Sequence, residues 1–259
     1  MTENISSLDI LNFYALSGID EVVGDEPVNR FNVVPKPIPT IEKNFSLSES
    51  EKNNSFEPQV SALPAFLKDV QSLEELKEKL RLFDGCPLKQ SAQNMVFGTG
   101  NPHADLMIIG EAPGMEEDKQ GLPFVGASGH LLDSMLLSVG LKRSDVYITN
   151  VVPWRPPMNR KPSEAEISVC IPFLQKHIAL VRPKVILLLG GTALSALLRI
   201  TDGITKTRGY WLDYPMEEGK KETVPLMASF HPAYLLRTPA QKKHAWKDFL
   251  NIRDKLASL

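Results

Sequence analysis

Two short stretches, roughly a hundred residues apart, carry the residue types best suited to chemistry. In LMIIGEAPG, Leu106 to Gly114, an apolar run stops abruptly at Gly110, Glu111, Ala112, Pro113 and Gly114. In VPLMASFHPAYLLR, Val224 to Arg237, a similar run delivers His231 and Pro232. Apolar residues bounded by a Gly/Pro cluster read as a buried strand opening into a loop. Ligands of parallel α/β sheets bind at the carboxyl ends of the strands, so Glu111 and His231 are expected to converge. His231 is of a type that changes charge near neutral pH and can donate a hydrogen bond to a developing anion.

Three further segments belong with these. GEAPGMEEDKQGLPFVG, residues 110 to 126, is punctuated by glycines and prolines, so its backbone N–H groups can approach a ligand closely. Phe124 lies in a turn there, as a flat surface for a ligand or as an aromatic packed on the core. Asn150 ends the run VYITN, and its amide offers a donor and an acceptor in one plane, suited to the edge of a base; a turn-forming role is the plainer alternative. The loop VVPWRPPMNRKP brings Arg155, Arg160 and Lys161, which suit phosphates or simple solvation. Tyr234, Leu235, Leu236 and Arg237 read as a protruding loop, apolar tips beside a cation, a composition that fits a wedge pushed into a base stack. The alternative is a buried turn.

The elements that must position these residues follow from periodicity. Strands are expected at Leu106 to Ile109, Val146 to Val152, Val185 to Leu189 and Pro225 to Ser229. Helices are expected from a Ser72/Glu75 capping box to near Gly85, then over Ser128 to Val139, Ser163 to Val181, Thr192 to Arg199 and Gln241 to Leu256. Strands alternating with helices predict an α/β fold, a three-layer α/β/α sandwich. Residues 1–62 are expected to be an acidic arm and flexible linker with a short helix over Ser7 to Gly18, and residues 63–259 the functional domain.

Composition bounds the rest. The chain has 259 residues, 42% hydrophobic and 23% charged, ordinary for a soluble globular protein. It lacks an eighteen-residue apolar run and a basic, then apolar, start, which predicts a cytoplasmic protein with no membrane association. Residues 1 to 60 hold ten Asp/Glu against four Lys/Arg, leaving 25 Lys/Arg against 21 Asp/Glu elsewhere: a mildly basic body that fits a nucleic-acid partner. Gly190, Gly191 and Thr192 are followed by no P-loop lysine, and GxGxxG is absent, which disfavours nucleotide cofactors. His103, His130, His177 and His244 lack metal-ligand spacing.

GEAPG with PFVG, ITNVV-x-x-RPP-x-NR and HPAYLLR, in that order, resemble the family-4 branch of the uracil-DNA glycosylase superfamily, over roughly Leu80 to the C-terminus. The resemblance implies a central four-stranded parallel sheet and a hydrolase that excises uracil from single- or double-stranded DNA in base excision repair; a monomer is the default expectation. Gly110, Ala112, Pro113 and Gly114 would hold the flipped base and the attacking water, with Glu111 positioning or activating that water; Glu117 and Asp118 are alternatives for that role. Phe124 would stack on the base, Asn150 would recognise its polar edge, and His231 would bond the pyrimidine oxygen as negative charge builds. Arg155, Arg160 and Tyr234 to Arg237 would contact DNA.

One departure stands out. Members of this branch bind a 4Fe–4S cluster through four cysteines, whereas only Cys86 and Cys170 match here, with Phe83 and Trp154 at the other two positions. Two thiolates are too few for the usual cluster. The expectation is a chain without cofactor or metal, in which Phe83 and Trp154 pack where the cluster would lie and the cysteines remain free buried thiols. The competing expectations are a glycosylase for hypoxanthine or xanthine and a non-catalytic binder of damaged DNA.

Overall fold

A computed structural model describes residues 63, 65–200, 202–216 and 222–259. The arm over 1–62, with its expected helix, lies outside the described residues. Helix α1 (Leu73–Leu82) starts where Ser72 Oγ accepts the Glu75 N–H at 3.1 Å. The Glu75 carboxylate reaches back one residue further than a capping box does, accepting the Gln71 N–H at 2.7 Å. The helix stops short of Gly85 because Phe83 is extended. A short α2 (Leu88–Ser91) and strand β1 (Thr99–Gly100) follow.

The repeating part then begins: β2 (Leu106–Gly110), α3 (Met115–Gln120), α4 (Ala127–Leu137), β3 (Val146–Asn150), α5 (Glu164–Val181), β4 (Val185–Leu189) and α6 (Gly191–Leu198). After α7 (Ile204–Thr207) come β5 (Trp211–Pro215), β6 (Thr223–Ser229), α8 (Pro232–Arg237) and α9 (Lys242–Ala257). A reciprocal capping box opens α5: Ser163 Oγ accepts the Glu166 N–H, and Glu166 Oε2 accepts the Ser163 N–H at 2.7 Å.

One mixed sheet runs in the order β1-β3-β2-β4-β6-β5. Its four inner strands are parallel, as expected. The two outer strands, β1 and β5, are antiparallel additions that sequence reading missed. Strand β1 is only two residues long, and β5 carries exposed positions, so neither presents the apolar run that marks a buried strand.

Successive strand residues point to opposite faces, and the core divides accordingly. Met107, Ile109, Ile186, Leu188, Leu226 and Ala228 pack with residues of α1, α5 and α6. Leu106, Ile108, Ile148, Val185, Leu187 and Met227 face the other way, against Leu132 and Leu136 of α4 and Phe249 and Ile252 of α9. Helices thus cover both faces of the sheet, the three-layer sandwich. Strands β3 and β4 flank β2 on opposite sides, so the strand order reverses there, and the crevice at the carboxyl ends of β2, β3 and β4 is the natural ligand position.

The expected protruding loop at Tyr234–Arg237 is a helix instead. His231 caps it and Pro232 occupies its first turn, where a missing N–H is harmless. No described helix is long and apolar enough to cross a membrane.

Candidate active site

The site is built on strand register. Gly110 and Asn150 are direct partners at the ends of β2 and β3. Beyond them the Val151 N–H donates to the Gly110 carbonyl at 2.9 Å and the Val152 N–H to the Glu111 carbonyl at 3.1 Å, which fixes how Glu111 leaves the sheet. A Cβ on Gly110 would lie 2.4 Å from Asn150 Oδ1 and 2.6 Å from Phe124 Cζ. Glycine is required because the amide and the ring both close over this point.

His231 arrives from β6. Its ring centroid lies 5.5 Å from that of Phe124, with the planes tilted by 31°. The Ala233 N–H donates to Nδ1 at 3.1 Å, so a neutral imidazole carries its proton on Nε2. Burial, and then the positive charge of Arg237, push the His231 pKa down to about 4 against an opposing effect of Glu117. At neutral pH His231 is therefore an uncharged donor.

Glu111, Phe124, Asn150 and His231 border one cavity of roughly 540 Å³. Ala112, Pro113 and Gly114 line it as well, and Tyr234 and Arg237 stand at its border with Arg160 and Lys161. Asn150 is 5% exposed, and its Oδ1 is buried without a hydrogen-bond partner among the described residues. An unmatched buried acceptor typically costs about 1–3 kcal/mol, so it marks a position where a donor is missing.

Not every expected contact residue reaches the cavity freely. Arg155 does not line it; its Nε donates to Asn159 Oδ1 at 2.7 Å and so shapes the proline-rich loop. Arg160 pairs with both oxygens of Glu166 at 2.7 and 2.9 Å, and this contact, with bonds from Ser163, holds the Glu166 carboxyl below its usual range. The expectation that Leu235 meets DNA is corrected: its side chain is 0% exposed, packed with Phe230 and Ala245. Leu236, one position on around the helix, is exposed.

The two alternative carboxylates lie in different surroundings. Asp118 is buried and accepts the Gln93 and Asn94 N–H groups at 2.8 and 3.1 Å, so it tethers a loop and does not border the cavity. Glu117 does border it, and accepts N–H bonds from Gly114 at 3.1 Å, Val125 at 3.0 Å and Gly126 at 2.9 Å. It thereby joins the GEAPG segment to the turn that holds Phe124. Sequence gave little warning of this, because Glu116, Glu117 and Asp118 form one acidic run whose helical register decides which of them turns inward.

The cysteines are free and buried. The Cys86 thiol is drawn below its ordinary value chiefly by its neighbour Cys170, against the opposing effect of burial, while Cys86 and burial together push Cys170 up. Trp154 shares their core cluster at 2% exposure, and Phe83 packs against it with its ring 5.0 Å from that of Phe173. Two thiols in one core, with no sulfur at Phe83 or Trp154, do not fit a four-thiolate cluster.

A mixed sheet with four parallel inner strands and, at its switch point, a crevice bordered by an aromatic ring, an amide and a neutral imidazole defines an α/β protein with a site suited to a flat polar ring. The sequence model of the uracil DNA glycosylase superfamily matches residues 97–251, and the chain belongs to that superfamily. It is 42% identical over 190 residues to the type-4 uracil-DNA glycosylase of Sulfurisphaera tokodaii, covering 71% of this chain and 85% of that protein. It is 44% identical over 169 residues to the type-4 uracil-DNA glycosylase of Thermotoga maritima, covering 64% and 83%. A DNA polymerase of Bacillus phage SP01 is 30% identical over 178 residues, 68% of this chain and 17% of the polymerase.

Proposed function

We propose that the cavity receives a uracil swung out of DNA and that the protein hydrolyses its N-glycosidic bond, as a uracil-DNA glycosylase of base excision repair. The unmatched Asn150 Oδ1 carries this reading. The uracil ring presents an N–H between two carbonyls, so the Asn150 amide can accept from the N–H and donate to the adjacent oxygen. Cytosine has a lone pair where uracil has that N–H, which would leave Asn150 Oδ1 facing another acceptor.

Extruding the base costs roughly a few kcal/mol, which stacking on Phe124 and the edge contacts offset. Breaking the C1′–N1 bond leaves positive character on the sugar and the electron pair on the base. The His231 Nε2–H is aimed to hydrogen-bond the pyrimidine oxygen where that charge gathers, and one such donor is typically worth about 3 kcal/mol. Glu111 orients the water that adds to C1′ and favours the cationic sugar, with Gly110 to Gly114 shaping the pocket around both. Arg160, Tyr234, Leu236 and Arg237 supply the DNA-facing border, and Arg155 acts on it through the loop it shapes.

The reading extends to the whole chain: residues 63–259 form the catalytic domain of a monomer, with residues 1–62 as an appended acidic arm. Two free thiols suit a reducing compartment and support a cytoplasmic setting. Packing of Phe83 and Trp154 in the core that holds the two thiols supports a chain that works without an iron–sulfur cluster. Protein purified anaerobically with stoichiometric iron and a broad visible absorption band would overturn that point.

Cleavage of single- and double-stranded oligonucleotides bearing uracil, hypoxanthine or xanthine tests the function. Excision of uracil that falls by two orders of magnitude in Asn150→Ala is the expected result. Full turnover by Asn150→Ala would remove the site, and binding without cleavage would favour a non-catalytic role.

A further inference from the structure

The ring assigned to stacking has a backbone that neither a strand nor a helix supports. Phe124 lies between α3 and α4 with φ of 54°, the left-handed region that a non-glycine residue adopts only under strain. Such a conformation persists only where surrounding contacts impose it.

Those contacts are unusually complete here. Arg143, in the turn before β3, donates from Nη1 to the Phe124 carbonyl at 2.9 Å and from Nη2 to the Pro123 carbonyl. Its Nη1 also donates to Asp133 Oδ1 on α4 at 3.0 Å, an ion pair whose arginine side chain is only 27% exposed. On the other side of the ring's Cα, Glu117 holds the Val125 and Gly126 N–H groups. Gly129 admits the bend, since a Cβ there would lie 1.9 Å from the Phe124 carbonyl oxygen.

We propose that Arg143 is a positioning residue for uracil excision: its guanidinium, oriented by Asp133, locks the Phe124 backbone so that the ring already forms a wall of the slot before DNA arrives. An arginine whose donors go to two consecutive backbone carbonyls is directed inward, unlike one that meets phosphates. A planar fork suits this task, because two carbonyls and a carboxylate are satisfied by one rigid group. The proposal rests on the reading of Phe124 as the stacking ring.

The test is a double-mutant cycle on the full chain. Arg143→Ala, Arg143→Lys and Phe124→Ala are compared singly, and each Arg143 change is combined with Phe124→Ala. The readouts are kcat and KM on a single-stranded uracil oligonucleotide, the inhibition constant of free uracil, and the melting temperature. Phe124→Ala is expected to lose roughly ten- to a hundredfold in kcat/KM. Arg143→Ala is expected to lose about tenfold, with KM and the uracil inhibition constant rising more than kcat falls, and Arg143→Lys to recover part of it. In the Phe124→Ala background, removing Arg143 should change little further. Wild-type uracil affinity in folded Arg143→Ala, or a loss of equal size in both backgrounds, overturns the clamp while leaving the stacking role of Phe124 intact. Wild-type affinity in Phe124→Ala removes the stacking reading, and the clamp with it. Should Arg143→Ala fail to fold, Arg143→Gln carries the same comparison.

Discussion

Gly110 and Asn150 are register partners at the carboxyl ends of adjacent parallel strands, and Asn150 Oδ1 overhangs the point where a Gly110 side chain would begin, 2.4 Å away. One added methyl group would therefore displace the amide and, 2.6 Å away on its other flank, the Phe124 ring. Gly110→Ala is expected to lower kcat/KM on uracil oligonucleotides by about a hundredfold, because displacements of an ångström at a reacting centre have effects of that size. Strand pairing of β2 with β3 is unaffected by the change, so the circular dichroism spectrum should stay that of the parent. Activity within a factor of two of the parent would show that these side chains do not contact the base.

His231 makes a prediction about pH. Its folded pKa of about 4 lies below the ordinary 6.5, with burial as the first cause, so the ring remains neutral throughout the range where a free histidine would gain charge. As far as this group is concerned, kcat/KM should be level from pH 8 to about 5 and fall only as pH approaches 4. Stability has the corresponding sign. Below pH 6.5 the unfolded chain takes up a proton that the folded chain refuses, so stability falls with pH until about 4 and then levels. His177, also buried and lowered to about 3, acts in the same direction. His231→Ala should lose about 10²–10³ in kcat. A rate profile of the parent with an inflection at 6.5 would contradict a neutral donor.

The packing of Trp154 separates a cluster-bearing core from an aromatic one. With the side chain 2% exposed among Cys86, Cys170 and Val169, Trp154→Ala removes a large apolar volume and should destabilise the protein by about 3–5 kcal/mol. Chelators and oxidants that dismantle iron–sulfur clusters should leave the parent's melting temperature unchanged. A melting temperature lowered by chelation, measured by differential scanning calorimetry, would mean that a metal group bears this load.

How much of this was legible in the sequence depends on what each residue's signal was. The inner strands were readable because each is a continuous apolar run ended by Gly, Asn or a polar cluster, and buried parallel strands have that form. That Glu111, Asn150 and His231 border one cavity was readable from their place at such ends, and that Phe124 joins them was readable from the resemblance of the ordered motifs. Strand β5 was not, because Trp211–Pro215 is largely exposed and looks like a loop. Arg143 was not either, and Glu117 was readable only as an alternative carboxylate for the water: the bonds of both go to backbone N–H and carbonyl groups, and no side-chain pattern records which peptide a charged group will meet.

Leu235 and Leu236 show the same limit within one motif and give a last prediction. Read as a loop, the two leucines look equivalent, but a helix turns consecutive residues by about 100°, so they cannot share an environment. Leu235 is enclosed by Phe230 and Ala245, whereas Leu236 is 43% exposed, two residues beyond Tyr234, which lines the cavity. Leu235→Ala should therefore cost about 2–5 kcal/mol of stability, with activity per folded molecule largely retained. Leu236→Ala should leave the melting temperature within a degree or two of the parent and instead weaken excision from duplex DNA more than from single strands, since only a duplex closes behind the departed base and benefits from an apolar wedge. Thermal melts and matched single- and double-strand cleavage assays read both effects. The assignment of the DNA-facing border fails if Leu236→Ala leaves the duplex to single-strand ratio unchanged.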